Sequence, residues 1–218
     1  MRAGLAGLIL GAGVAFQAAA HPHVFVDTRL DVVFDTAGRA EGVRISWTYD
    51  DLFSLVIIMD HEMDADFDGV LTAQELETLR GFDMNWIAGY PGDTYALLGT
   101  APLALSGPSE WSVSYADARI TSVHYRRFGA PTDLDETPLV VKVYDPTLYN
   151  GYTIIGEPTV TGRTDCTAEV VKPDRTAADL VLQTALDAMV NNIDVEAEFP
   201  AVGEAYSEEA RITCAARS

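Results

Sequence analysis

Cysteine, histidine and basic side chains are all scarce in this 218-residue chain, and each shortage removes a class of function. Two cysteines are too few for a disulfide-dense scaffold or a four-thiolate zinc cage, and no Cys-x-x-Cys pair is present. Fourteen Lys and Arg against 33 Asp and Glu leave a formal charge of −19, which repels phosphate backbones and anionic lipid alike. Nucleic acid is therefore excluded as a partner, whereas cations are drawn to such a surface. Beyond the N-terminus no apolar run approaches the ~20 residues that a helix needs to cross a bilayer, so no membrane insertion of the mature chain is expected. A Gly-x-Ser-x-Gly elbow, a phosphate loop, a dinucleotide fingerprint and a His-Glu-x-x-His zinc helix are also missing. No catalytic residue is assigned, and the chain is expected not to be an enzyme.

The first segment present is an export pattern. Arg2 precedes an apolar stretch from Gly4 to Phe16, and Ala18 and Ala20 are the small residues that a signal peptidase requires. Residues 1–20 are expected to be a signal peptide, and residues 21–218 a single periplasmic domain that opens on His21-Pro22-His23. Cys166 and Cys214, an even pair in an exported chain, most simply form one disulfide.

The patterning predicts an α+β fold: a mainly antiparallel, β-sandwich-like domain with a helical insertion over 51–87 and a helix in the C-terminal half. Val24, Val26, Thr28, Leu30 and Val32 alternate with polar positions, Asp35 to Gly38 turn, and Val43, Ile45 and Trp47 alternate again, which reads as a hairpin. Asp50 or Asp51 caps a helix with Phe53, Val56 and Ile57 on its inner face. A second helix is expected from Leu71 to about Trp86, with Leu76 and Leu79 inward. Strands follow at Tyr95–Leu98, Trp111–Tyr115, Ile120–Tyr125 and Leu139–Tyr144. Thr176 and Asp179 resemble a capping box for a helix reaching about Val190, with Leu182, Leu186, Met189 and Val190 at helical spacing. A last strand is expected from Ala210 to Cys214.

The most specific motif runs from Asp64 to Glu75 and fits the twelve-residue EF-hand loop. Asp64, Asp66 and Asp68 would supply side-chain oxygens to calcium, Val70 its carbonyl, Thr72 a side-chain or water-mediated contact, and Glu75 a bidentate carboxylate. Gly69 permits the sharp turn. No second loop of this kind is present, and regulatory EF-hands work in pairs, so calcium is expected to serve structure ahead of sensing.

The four histidines are His21, His23, His61 and His124. His21 and His23 share a strand face, because side chains repeat every two residues. Imidazole suits zinc, nickel, cobalt and copper. Pro22 has no N–H to deprotonate, which disfavours a main-chain copper or nickel site. His61, before the acidic loop, and His124, on a strand beside Ser122, complete a transition-metal site if their elements converge.

His-Pro-His-Val-Phe-Val-Asp at 21–27, Trp47-Thr48-Tyr49-Asp50, the acidic loop, Tyr144-Asp145-Pro146-Thr147-Leu148-Tyr149 and the two cysteines together resemble the bacterial domain of unknown function 1007 family. The resemblance implies a periplasmic component of an uncharacterised ABC-type transport system, linked to zinc or nickel handling, with a membrane metal permease or ABC transporter as partner. On this chain the opening His-x-His of that family falls on His21 and His23, and its acidic loop on Asp64, Asp66, Asp68 and Glu75. The leading reading is a transition-metal-binding accessory protein that captures zinc or nickel for a permease and carries structural calcium. A calcium-stabilised interaction module and a copper oxidase with an N-terminal histidine brace are the alternatives.

Overall fold

A computed structural model describes residues 21–189 and 199–216. Residues 1–20, where a signal peptide is expected, lie outside the described residues. The chain is α+β, with two sheets. In the first, the order is β5 (Ser109–Ala116), β6 (Arg119–Thr132), β2 (Ala40–Tyr49), β1 (Val24–Phe34), β8 (Asn150–Ile154), with β9 (Thr159–Thr161) also on β1. In the second it is β10 (Cys166–Val171), β11 (Glu208–Cys214), β7 (Leu139–Val143), β3 (Thr94–Leu98), β4 (Ala101–Leu103).

The β1–β2 hairpin forms as its alternation predicts, with Val26 opposite Tyr49 and Val32 opposite Val43. The expectation of antiparallel pairing needs correction on the other edge of β1. There β8 pairs with Val24–Thr28 and β9 with Asp31–Val33, both parallel, so the first sheet is mixed. One continuous core joins the sheets: Val26, Leu30, Val32, Ile45 and Trp47 from the first meet Leu139, Val141, Ala210 and Ile212 from the second.

Helix α1 (Asp51–Asp60) starts where Asp50 accepts from the Phe53 amide at 2.8 Å and from the Phe25 amide at 2.7 Å. One cap thus fixes both the helix start and its place beside β1. Its inner residues are Ser54 and Ile58, with Phe53 and Ile57 half-buried, while Val56 faces outward. The Ser54 hydroxyl accepts from the Ile120 amide at 2.9 Å and sets this rotation. Helix α2 is shorter than its sequence pattern suggests, spanning Ala73–Leu79. Gly81, at φ +78°, turns the chain just past the Arg80 C-cap, and left-handed backbone of this kind ends a helix. Leu79 is fully buried as expected.

Helix α3 (Arg175–Asp187) is capped by Asp174, which accepts from the Ala177 amide, in place of the Thr176 box. Leu182, Leu186 and Met189 are half-buried, Val190 lies outside the described residues, and a four-residue turn of helix, α4 (Gly203–Tyr206), precedes β11. No described helix is long and apolar enough to cross a membrane.

Candidate metal centres

Between α1 and α2 the chain folds onto its own carboxylates. Side-chain oxygens of Asp64, Asp66 and Asp68 lie within 4.8 Å of one another, the spacing a hard cation with several oxygen ligands requires. Asp64 accepts from the Asp68 amide at 3.0 Å and the Gly69 amide at 3.2 Å, and Asp68 accepts from the Val70 amide at 2.8 Å. Gly69 sits at φ +76°, which a glycine adopts without strain. Glu75 reaches back across the loop. One of its oxygens accepts from the Asp64 amide at 2.8 Å, and the other from the Thr72 amide at 2.8 Å and hydroxyl at 2.7 Å. The Thr72 amide first, then its hydroxyl and the Asp64 amide, hold the Glu75 carboxyl below its ordinary range. Thr72 therefore acts as the N-cap of a reciprocal capping box, and Val70 is exposed. Glu75 stands outside the triad of aspartates but ties the first loop position to the last.

The mouth of β1 holds the second centre. His23 and Val24 donate their amides to the Tyr149 carbonyl at 2.8 and 3.3 Å, which docks the strand start against β8. Gly151 makes room, since a Cβ there would meet Pro22 Cγ at 2.7 Å. The His21 and His23 rings lie 4.8 Å apart, edge to face, with Phe199 4.2 Å from His21 and Tyr149 4.8 Å from His23. Both ring nitrogens of His21 are buried with no hydrogen-bond partner.

His61 and His124 do not join them. The register Leu30 to Ile45 to His124 sets His124 seven residues along β1 from His23, about 23 Å at strand rise. It is fully buried against Trp47 and Trp86, at 4.6 and 5.6 Å. Burial, then the charge of Arg126, pushes its imidazole down to about 3, so it stays neutral. His61 is exposed at the far end of the ten-residue α1, about 15 Å from the Asp50 cap beside Phe25. Among the described residues, no group of three potential ligands contains a histidine. The structure thus brings His21 and His23 together and leaves His61 and His124 apart from them, so that His124 is not the third imidazole beside His21 that a copper brace needs.

Sequence reasoning missed a polar layer inside the core. Asp83 accepts from the Tyr49 hydroxyl at 2.7 Å and the Ser122 hydroxyl at 3.0 Å, and burial raises its carboxyl even so. Asp93 accepts from the Tyr152 hydroxyl at 2.8 Å, and burial lifts it to about 6. The polar inward run Ser122, His124, Arg126 on β6 is the signal that could have revealed this layer. Cys166 and Cys214 are bonded and lie directly opposite on β10 and β11.

These features fall in one recognised family, whose match runs over residues 6–214. The chain belongs to the DUF1007 family, proteins of unknown function. A curated relative, described as an uncharacterized 15.5 kDa protein in the trpE 3′ region of Spirochaeta aurantia, is 30% identical over 93 residues. That alignment covers 43% of this chain and 64% of the relative. This DUF1007 chain thus brings a family without an assigned activity, and its function rests on the chemistry of the two centres.

Proposed function

We propose that the chain is an exported, periplasmic metal-handling protein that captures zinc or nickel at His21 and His23 and passes it to a membrane metal permease or ABC transporter. The observation that carries this reading is the His21 and His23 pair, with both His21 nitrogens buried and unpartnered. Burying hydrogen-bonding groups without a partner is unfavourable, and a borderline metal is the ligand that imidazole suits. The donor set fits such an ion. Two protein ligands leave coordination positions open, which suits transfer more than permanent storage. The metal supplies charge to be carried, and the residues hold and release it.

On this reading residues 21–218 form one sandwich-like domain, and the acidic loop with its two helices is an EF-hand-like calcium insertion. Asp64, Asp66, Asp68 and Glu75 would hold the ion with the Val70 carbonyl and Thr72, and the ion would brace the loop. A calcium-stabilised interaction module is the second reading, favoured by how fully the loop is organised by its own hydrogen bonds.

Titration of chain beginning at His21 tests the first reading. Zinc or nickel is expected to bind below micromolar, and His21→Ala with His23→Ala to weaken it by at least about tenfold. Binding that is micromolar or weaker and indifferent to both substitutions overturns it and leaves the second.

A further inference from the structure

Arg126 on β6 is a buried cation without an anion. It is 4% exposed, far below what a charged side chain tolerates without compensation. Its Nε donates to the Ser106 carbonyl at 2.8 Å, and its Nη1 to the Pro91 and Thr94 carbonyls at 2.6 and 3.4 Å. The guanidinium lies 5.0 Å from the Trp86 ring centre. All these partners are neutral. Among the described residues no Asp or Glu pairs with Arg126, and its Nη2 donates to no protein group. Burial pushes the guanidinium down to about 10, as expected of a cation without a counter-ion.

Arg126 borders a cleft of about 320 Å³ along the β3–β4 edge, within the range of small-molecule sites. Thr94 lines the same cleft and gives its carbonyl to Arg126, while its own hydroxyl is buried. Ala96, Leu103 and Leu105 supply apolar wall, and Tyr95 and Tyr144 stack at 4.1 Å on one side. The other cation there, Lys142, is already bound by Glu204 and Glu209, each at 3.1 Å. Arg126 is therefore the cation at the cleft without a carboxylate partner, and Glu204 opposes any ligand carrying more than one negative charge.

We propose that this cleft is a binding site for a small aliphatic monocarboxylate, its carboxylate on the Arg126 Nη2 and its chain against Leu103 and Leu105. With Nε and Nη1 taken by main-chain carbonyls, Nη2 is the guanidinium nitrogen left to give a carboxylate a charge-assisted hydrogen bond. The site is separate from both metal centres and stands whether or not they bind metal.

The test is an NMR titration of the folded mature chain with hexanoate, with hexanol and inorganic phosphate as comparison probes. Hexanoate is expected to give saturable shifts at Thr94–Leu98 and at the Arg126 Nε–H, with hexanol and phosphate at least about tenfold weaker. Leu103→Trp, which fills the cleft and spares Arg126, should abolish hexanoate binding. Absence of saturable shifts, equal binding of hexanol, or full binding by Leu103→Trp overturns the site. Phosphate matching hexanoate overturns the aliphatic assignment.

Discussion

Asp93 and His124 carry opposite proton linkages inside one core. The ordinary carboxyl value for Asp93 is 3.8, and burial lifts it to about 6 against the Tyr152 hydrogen bond, helped by the charge of Asp145. The folded state therefore binds more protons than the unfolded one between those values, and this residue's contribution falls as pH rises from about 4 through 6. At about 1.4 kcal/mol per unit the effect is on the order of 3 kcal/mol. His124 runs the other way: its ordinary 6.5 falls to about 3, so the unfolded state takes the proton first and stability is lost as pH drops below 6.5. In the native chain the two slopes oppose between pH 4 and 6. Asp93→Asn is predicted to raise stability at pH 7, leave it nearly unchanged at pH 4, and expose a steep acid limb. His124→Phe is predicted to raise stability at pH 4 to 5 and leave only the Asp93 slope. Urea unfolding at several pH values reads both, and profiles parallel to the native one would refute the linkage. Neither residue's protonation was legible in the sequence, because burial depends on which strands lie opposite.

Helix α1 shows where periodicity stops being informative. Apolar residues fill nearly every position from Leu52 to Met59, so the pattern announces a helix but not its rotation. The sequence pattern predicts Phe53, Val56 and Ile57 inside. Phe53 and Ile57 do pack half-buried against the core beside the buried Ser54 and Ile58, whereas Leu52, Leu55, Val56 and Met59 are between 43% and 68% exposed. Ile58→Ala is accordingly predicted to cost about 2 to 5 kcal/mol, and Val56→Ala less than about 0.5 kcal/mol, by denaturant midpoint. Equal losses would mean that the outer face is covered in solution. The acidic loop was far more legible, because its ligand spacing, glycine turn and capping box are all local in sequence. Calcium is predicted to raise the melting temperature, and Glu75→Gln to remove most of that gain. An identical melting curve in chelator and in calcium would dismiss the ion as a structural element.

At the scale of the whole molecule, the sequence announced strands but not neighbours. Four of them, β4, β8, β9 and β10, escaped it, and the parallel pairings of β1 follow from long-range contacts that no local pattern encodes. The cysteine pair was the exception, since two cysteines in a chain leave one simple partner each. Its bond joins the edge strand β10 to β11, which is hydrogen-bonded in turn to β7 at the centre of the second sheet. The linked residues are 48 apart, and the chain-entropy treatment assigns such a loop about 4 kcal/mol of stabilisation. Because β11 also supplies Ala210 and Ile212 to the shared core, this constraint acts on both sheets. Cys166→Ala with Cys214→Ala is predicted to lower the unfolding free energy by about 2 to 4 kcal/mol while the native-state circular dichroism is kept. Reduction of the native chain should reproduce that loss. A double variant as stable as the oxidised chain would place the second sheet's stability in its core and hydrogen bonds alone.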